Sequence, residues 1–507
     1  MRIHPTPFAM PERWPVPLPG RFPPSLTAAL IDGPGQEALR ARLALPGTLV
    51  VTTGQQPALF TGPLYGVHKA LSAAALARLL ADRWDRPVVP LFWVAGDDHD
   101  FAEANHAAWL RPDGSLRVET LPDRPPAAAL RPMSKEPLGK GIGAALDALA
   151  ADLAPFDGGA EALDWLRRHF RPGAMLGAAS GAALAEVLAP LGVLCIDGSH
   201  GALKALGAHV IRRALAEADR IEAGLVRRAD QLDAAGRHPG VPVGDRATLV
   251  MLELDQGRDR LVRDGEGFMT RHGGERYSLQ ELEDLLDREP GRFSGNVLLR
   301  PVIERAVLPT VSYVAGPGEL RYLALAATVF DLLDVDPPLP MPRWSGLLIE
   351  PRVDRVLDKF GASIEELLAP GASLEARVAR AHMPAAGTEA LAGLRADIER
   401  GYGALATAAR DIDPNLQRPI DGLKGRALGG VDRAEHKLVQ HLKRRYEVDT
   451  AQVGRARTAL QPGGHPQERV LTLAPFVARY GHGLLPLLLD EMTAWYRAAL
   501  EGGAPPP

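Results

Sequence analysis

Two polar, glycine-bearing segments constrain the fold of this chain more than any other feature. The apolar run at 48–51 leads into TTGQQPALFTGPLY at 52–65, and the run at 88–94 leads into AGDDHDF at 95–101. Short apolar runs rich in β-branched residues are typical of buried parallel strands. Because an open α/β sheet binds its ligand outside the carboxyl ends of its strands, both segments are predicted to lie at that edge.

The pattern around these segments predicts a βαβ unit. A strand at 48–52, a helix at 64–81 and a strand at 88–95 follow one another, which is the arrangement of a doubly wound parallel sheet. Further predicted helices are 101–108, 143–154, 159–168, 180–188, 202–235 and 278–287. Further predicted strands are 193–197 and 307–315, with a small antiparallel element at 248–270 and a helix from about 320.

The composition changes near residue 372. From there to 462 the chain is rich in Ala, Arg, Glu and Leu, and Leu391, Leu394 and Ile398 keep a helical spacing. Long polar helices with a narrow apolar stripe favour an antiparallel coiled-coil arm, interrupted at Pro414 and at 429–430. The predicted domains are a core at 1–371 with insertions at about 110–190 and 235–290, the arm at 372–462, and a helical tail at 463–507 that packs on the core.

Bulk properties exclude several classes of protein. The net charge is −4 over 507 residues, which does not support binding to nucleic acid or to a membrane surface. No apolar run is long enough to span a bilayer, and the N-terminus does not resemble a signal peptide, so a cytoplasmic location is expected. The single cysteine, Cys195, ends an apolar run and is predicted to be a buried strand residue rather than a catalytic thiolate.

The first segment is predicted to bind a phosphate or a carboxylate. Pro63 is placed at the first position of the following helix, where free backbone amides carry partial positive charge. The patterns GxxxxGK[ST] and GxGxxG are both absent, and the alternative is a helix cap with a tight turn. The candidate binding residues are Gly54, Gln55, Gln56, Thr61 and Gly62.

The second segment packs Asp97, Asp98, His99 and Asp100 into four positions. Like charges at this spacing need a neutralising cation, which a metal ion, a substrate amine or a Lys or Arg side chain would supply. His99 and His106 are compatible with a metal site, but their spacing is not a zinc signature, so no metal ligands are assigned and metal dependence stays open. The alternative is that Asp98 or Asp100 caps the helix that starts at 101.

Two further segments carry candidate residues. GPGE at 316–319 places backbone amides at a helix start, and Asn296, Arg300 and Glu304 are predicted to line the same crevice as Gly316, Gly318 and Glu319. The triplet Met133-Ser134-Lys135 is similar to the lysine loop KMSK of class I synthetases. It lies before most of the predicted sheet, so a solvated loop lysine is the favoured interpretation.

Four motifs occur in order across nearly the whole chain, namely TGQQPALFTGPLY, FWVAGDDHDFAEANH, FSGNVLLRPVIERAVLPTVSYVAGPGE and PQERV. Together they resemble the bacillithiol biosynthesis cysteine-adding enzyme family, BshC. One departure is Asp97, where the family more often has Glu. The resemblance implies a Rossmann-like core with two connecting insertions and a coiled-coil arm that supports a homodimer.

The resemblance also implies the last step of bacillithiol synthesis, in which L-cysteine is joined to glucosaminyl-malate. An amide bond from a carboxylate needs an activated acid, so ATP or another nucleotide is expected. His99 is assigned as the general base, Asp97, Asp98 and Asp100 as partners of an amine, and the other candidates, with Asn105 and His106, as binding residues. The alternatives are another nucleotide- or amino-sugar-processing transferase and a non-catalytic dimeric scaffold.

Overall fold

The computed structural model describes residues 1–6, 9–11, 13–125, 129–371 and 373–502. The described chain forms two compact units. The core unit runs from Ile3 to Leu347 and resumes at Gln467, whereas the helical unit comprises Leu348–Pro466 with Met1–Arg2. The chain therefore leaves the core unit once and returns to it for its last segment.

The strands in chain order are β1 Arg2–Pro5, β2 Leu30–Ile31, β3 Leu49–Gln55, β4 Val88–Val94, β5 His106–Leu110, β6 Leu116–Thr120, β7 Leu194–Asp197, β8 Ala247–Leu254, β9 Gly257–Asp264, β10 Gly267–Thr270, β11 Arg276–Tyr277, β12 Phe293–Gly295, β13 Thr310–Ala315, β14 Leu339–Pro342 and β15 Gly346–Ile349.

The helices of the core unit are α1 Glu37–Ala44, α2 Tyr65–Trp84, α3 Phe101–Ala104, α4 Gly141–Leu153, α5 Gly159–His169, α6 Leu176–Leu188, α7 Gly201–Ala216, α8 Ala218–Ala234, α9 Leu279–Arg288, α10 Arg300–Val307, α11 Pro317–Leu332, α18 Ala474–Tyr480 and α19 Leu484–Leu500. Those of the helical unit are α12 Pro351–Phe360, α13 Ile364–Leu368, α14 Ser373–Ala381, α15 Ala385–Arg410, α16 Gln417–Arg445 and α17 Glu447–Leu460.

A six-stranded sheet forms the centre of the core unit, in the order β14-β13-β3-β4-β7-β2. Its strands pair in parallel except for β2, which runs antiparallel to β7. Gln55 pairs with Val94, and Thr52 pairs with Tyr313. The carboxyl ends of β13, β3 and β4 therefore lie side by side, and the predicted α/β fold is confirmed.

Burial explains why these segments form the central sheet. Every residue of β4 is buried, and so is every residue of β3 except Gln55. The long helix α2 packs against both strands, and α19 packs against α2. Met492, Trp495 and Tyr496 of α19 are at most 1% exposed, so the C-terminal segment is an integral part of the core.

Two additions interrupt the βα alternation. The hairpin β5–β6 and helices α4–α6 stand between β4 and β7, and an antiparallel sheet in the order β11-β10-β9-β8-β12 stands between α8 and α10. The second addition confirms the predicted antiparallel element at 248–270. Its strands β9 and β12 reach the edge where the central strands end, as described below.

Three predictions of local structure are wrong. The helix expected at 101–108 ends at Ala104, because the apolar run after His106 forms the buried strand β5. The single helix expected at 202–235 is two helices, because Glu217 leaves helical geometry at φ −99° and ψ 17°. The glycines at 429–430 do not interrupt α16, which continues from Gln417 to Arg445.

The helical unit contains an antiparallel pair of long helices, α15 and α16. Arg395 pairs with Glu435 at 2.8 Å, while Ala409 packs in a small apolar cluster with Ile420. Residues later in α15 thus meet residues earlier in α16, and the short turn at Pro414–Leu416 joins them. The unit begins at Leu348 rather than at the predicted 372, because α12 and α13 pack against α17.

Candidate functional site

Two adjoining cavities lie where the parallel strands end. The first, of about 270 Å³, is bounded by the loop after β4, by α7 and by the strands β9 and β12. The second, of about 300 Å³, is bounded by the end of β3, by α2 and by the start of α11. Both are lined by Ala95, Asp98, Val297 and Arg300, so the two cavities share one wall.

Most of the predicted binding and catalytic residues line these cavities. The first contains Asp97, Asp98, His99, Asn296 and Arg300. The second contains Gln55, Gln56, Asp98, Arg300 and Glu319, together with Gly54, Gly316 and Gly318. Strand ends and helix starts that are far apart in the chain thus bring their polar residues to one edge, where an open α/β sheet binds its ligands.

The charged loop after β4 is neutralised in part by a lysine. The Lys204 ammonium donates to Asp97 Oδ2 at 2.5 Å and to the carbonyl of Phe293 at 3.0 Å. Asp100 caps α3 by accepting from the Glu103 amide, which confirms the capping interpretation for that residue. Asp98 accepts from the Asp100 amide at 3.1 Å and faces both cavities.

His99 is half-buried beside a guanidinium group. Nη1 of Arg258 lies 3.4 Å from Nδ1 of His99, and the Arg258 side chain also binds Ser294 and Gly295. Burial lowers the pKa of His99, and the positive charge of Arg258 lowers it further, against the opposing effect of Asp98. The imidazole is therefore neutral around pH 7.

A buried lysine stands on the far side of the second cavity. The Lys69 ammonium donates to the carbonyl of Gly54 at 2.8 Å and to Oε1 of Gln55 at 3.0 Å, and it pairs with Glu319 at 2.5 Å. Burial lowers the pKa of Lys69. Burial alone would raise the pKa of Glu319, but Lys69 and the Gly316 amide hold it below its usual value.

Arg300 joins the two cavities through hydrogen bonds to buried partners. It donates to Glu304 at 3.0 Å and to the Tyr313 hydroxyl at 3.1 Å. Tyr313 in turn donates to Glu319 at 2.9 Å, and Thr52 donates to Glu304. Because each side chain in this hydrogen-bond network is held by another, the Arg300 guanidinium has a fixed position in the shared wall.

Arg343, from the strand region before the helical unit, and Arg469, from the C-terminal segment, supply the remaining charges of the second cavity. Glu468 accepts from Arg343 at 2.8 and 2.5 Å and contacts Nδ1 of His68 at 3.0 Å. Arg343 and Arg469 both line the cavity. Together with Lys69 and Arg300 they make four cationic side chains around one small space.

Six candidate residues stand outside the lining of both cavities. Asp100 caps α3, Glu304 is buried and accepts from Arg300, and the other four are predicted binding residues. Thr61 and Gly62 form a tight buried turn with positive φ values of 69° and 74°, and Pro63 precedes α2, whose first residue is Tyr65. Asn105 is buried and donates to the carbonyl of Leu121 at 3.2 Å. His106 is exposed at the start of β5. Strand β5, which forms where a helix was predicted, places Asn105 and His106 away from the edge where the parallel strands end.

Sequence reasoning missed most of the cations of the site. Lys69, Lys204, Arg258 and Arg343 were not among the predicted site residues, and each is wholly or largely buried. A usable signal was present for the lysines, because each is a charged residue in an otherwise apolar stretch of a predicted helix. The acid cluster itself required such partners.

Lys135 and Cys195, two other residues discussed from the sequence, lie outside the site. Lys135 of the KMSK-like triplet pairs with Glu253 at 2.6 Å and has a 60% exposed side chain, as expected for a solvated lysine. Cys195 is buried in β7, and burial raises its pKa to about 12. Within the described ranges, no cluster of three or more His, Cys, Asp or Glu residues is arranged to hold a metal ion. No described helix is both long and apolar enough to cross a membrane.

Comparison with known families matches nearly the whole chain. Residues 36–344 match the model described as "Bacillithiol biosynthesis BshC, N-terminal Rossmann-like domain". Residues 346–495 match "Bacillithiol biosynthesis BshC, C-terminal coiled-coil domain". The boundary between the two matches falls beside the boundary at 347 between the core and helical units.

Curated relatives agree with this match. The protein named "Putative cysteine ligase BshC" of Solibacter usitatus is 30% identical over 478 residues, which cover 93% of this chain and 88% of the relative. The protein of the same name from Koribacter versatilis is 32% identical over 449 residues, covering 88% and 82%. That of Heliobacterium modesticaldum is 30% identical over 466 residues, covering 90% and 83%.

Proposed function

Because this chain belongs to the bacillithiol biosynthesis BshC family, we propose that it is a ligase that joins L-cysteine to the amine of glucosaminyl-malate. The product is an amide, formed in the last step of bacillithiol synthesis. A free carboxylate is a poor acyl donor at neutral pH, so we propose that ATP or another nucleotide activates the cysteine carboxylate.

One observation supports this proposal most directly, namely the shared wall between the two cavities. Asp98 and Arg300 face both spaces, with four cationic side chains around the second cavity and the acidic loop beside the first. Ligands with anionic groups, such as a malate carboxylate or a nucleotide phosphate, suit the second cavity. An amine suits the neighbourhood of Asp98. The shared wall is then where the amine meets the activated carboxyl carbon.

The proposed bond formation makes specific demands on these residues. The amine nitrogen attacks the acyl carbon, the C–N bond forms, and the C–O bond to the phosphate-bearing leaving group breaks. The amine loses one proton, which a residue of the loop after β4 accepts. Lys69, Arg300, Arg343 and Arg469 offset the negative charge on the ligand and on the leaving group.

Mass spectrometry tests the proposal directly. Purified protein is incubated with glucosaminyl-malate and cysteine, with ATP in one tube and without it in a second. We expect the condensed thiol only with ATP, and a loss of about 10²–10⁴-fold in Asp98→Asn. The exposed lysine variant Lys135→Ala serves as a matched control and is expected to keep its activity.

Each other outcome has a defined meaning. If product forms without ATP, the proposed identity of the two substrates stands, but the proposal of nucleotide activation is overturned. Product in neither tube would overturn the ligase proposal and favour an amine-processing transferase with a different acceptor. Full activity in Asp98→Asn would overturn the placement of the reaction at the shared wall.

We further propose that the protein acts in the cytoplasm as a homodimer held by the helical unit. Exposed apolar side chains occur along α15 and α16, at Leu394, Leu405, Leu423 and Leu438. Exposed leucines on long helices are typical of helix–helix interfaces. Sedimentation equilibrium of the wild type and of a Leu394→Glu, Leu438→Glu variant tests this, with a dimer expected for the first and a monomer for the second. A monomeric wild type would contradict it.

A further inference from the structure

The orientation of Arg258 is fixed before any ligand binds. Nε of Arg258 donates to Oγ of Ser294 at 2.9 Å, and Nη2 donates to the carbonyl of Gly295 at 2.9 Å. The third nitrogen, Nη1, faces Nδ1 of His99 at 3.4 Å. Two strands of the second addition, β9 and β12, thus present a donor to one particular nitrogen of the imidazole.

This contact favours one of the two neutral tautomers of the imidazole. A guanidinium group has five N–H donors, has no acceptor and stays charged in proteins. The facing Nδ1 must therefore present its lone pair, and a neutral imidazole with a free Nδ1 carries its hydrogen on Nε2. Nε2 is then the nitrogen that remains for a ligand of the first cavity, whose wall His99 forms.

Burial favours the neutral ring. It lowers the pKa of His99, as do Arg258 and Arg124, whereas Asp98 and Asp100 on the same loop raise it, and the net direction is down. In a neutral His99 with its hydrogen on Nε2, the only nitrogen able to accept a proton is Nδ1, which faces Arg258, and protonation there would create an imidazolium beside a guanidinium. This arrangement disfavours the general-base role that the sequence suggested for His99.

We propose that Arg258 is a positioning residue that holds His99 as the Nε2–H tautomer, so that His99 donates to the reacting carbonyl oxygen and Asp98 accepts the amine proton. This inference rests on the proposed ligase function. As the C–N bond forms, negative charge develops on the carbonyl oxygen and is stabilised by Nε2–H. As the C–O bond breaks, the carbonyl re-forms and the negative charge departs with the phosphate-bearing leaving group. The proton released by the nitrogen goes to a carboxylate oxygen of Asp98.

The tautomer is measurable without any activity. Protein labelled with ¹⁵N only at histidine gives imidazole signals that distinguish a protonated from an unprotonated nitrogen, and His99→Gln identifies the signals of His99. At pH 7 we expect Nε2 protonated and Nδ1 unprotonated. We expect the same in Arg258→Lys, which keeps a donor, and a mixture of tautomers in Arg258→Met. A protonated Nδ1 in the wild type would overturn the proposal.

Two substitutions of His99 distinguish a role as hydrogen-bond donor from a role as general base. The amide nitrogen of Gln reaches about the position of Nε2 and donates a hydrogen bond, but it does not accept a proton at neutral pH. For a donor role, His99→Gln stays within about tenfold of the wild type, whereas His99→Ala loses about 10²–10³-fold. For a base role, both variants lose activity alike, which would overturn the assignment. If no condensation occurs even in the wild type, the ligase proposal fails, and the NMR measurement still decides the tautomer.

Discussion

At the scale of single residues, the second cavity depends on buried charges that neutralise one another. The side chains of Lys69 and Glu319 are only 4% and 17% exposed, and those of Arg343 and Glu468 are 4% and 6% exposed. Removing one partner of a buried pair leaves the other charged and desolvated. These residues therefore affect both the stability of the core and the electrostatics of the cavity.

Lys69→Met should destabilise the protein by about 3–5 kcal/mol, because Glu319 loses its cation while it stays buried. Urea unfolding followed by circular dichroism measures this change. Lys135→Met removes an exposed partner of Glu253 and should cost at most about 1 kcal/mol. Equal unfolding midpoints for the two variants would show that Lys69 is not required to neutralise Glu319.

Glu468 makes the stability depend on pH. Burial would raise its pKa, but His68 and Arg343 hold it far below the usual value of about 4.3. Below that usual value the Glu468 carboxylate is protonated in the unfolded chain but stays ionised in the folded chain. Acidification therefore favours unfolding. The free energy of unfolding should fall from pH 6 to pH 3, and less steeply in Glu468→Gln. Parallel pH profiles for the two proteins would contradict this account.

At the scale of elements, the site depends on how closely the ends of β3 and β4 approach. A Cβ atom on Gly54 would lie 2.8 Å from the carbonyl oxygen of Trp93, which is closer than packed atoms allow. Glycine inside a strand commonly marks such an approach of two backbones. The same backbone carbonyl of Gly54 accepts from Lys69, so strand spacing and cavity charge are linked.

Gly54→Ala should cost about 1–3 kcal/mol and displace the end of β3 from Lys69. Gly318→Ala lies in the same cavity, where a Cβ would meet no atom within 4 Å, and it serves as the control. Thermal unfolding should show a lower midpoint for the first variant and an unchanged or slightly higher one for the second. Equal midpoints would mean that β3 and β4 have room to separate.

At the scale of the whole molecule, the core unit is assembled from two separate parts of the chain. Helix α19 packs against α2, and the Tyr496 hydroxyl donates to the carbonyl of Pro342 at 2.5 Å. Arg469 lines the second cavity, and Glu468 binds Arg343, another of its lining residues. All six strands of the central sheet precede the helical unit, but helix α19, which packs against α2, and Arg469 of the second cavity follow it.

A chain that ends at Pro466 should therefore fail to form a stable core, because the apolar surface of α2 and the charge of Arg343 both lose their partners. A chain that ends at Gly502 keeps all of these contacts and is the control. Circular dichroism and thermal unfolding should show a cooperative transition only for the longer chain. A cooperative, stable short chain would contradict the role assigned to the C-terminal segment.

Local patterns were sufficient to predict the central strands β3 and β4 and the loops that follow them. The runs before Gln55 and Gly96 are short, apolar and β-branched, and such signals depend on neighbours in sequence. The partners of the loop residues depend instead on topology. Lys204 meets Asp97 across 107 positions, and Arg258 meets His99 across 159, so no local periodicity points to either contact. His106 was misplaced because a short apolar run fits both a helix and a buried strand.

The interruption of the core by the helical unit has a consequence for synthesis on the ribosome. After residue 347 emerges, 348–466 must be translated before the chain that closes the core becomes available. At about 5–20 residues per second this takes roughly ten seconds, during which the apolar side of α2 is uncovered. The nascent protein thus spends that interval with a hydrophobic surface open to chaperones, and the two buried ion pairs of its ligand site form at different times.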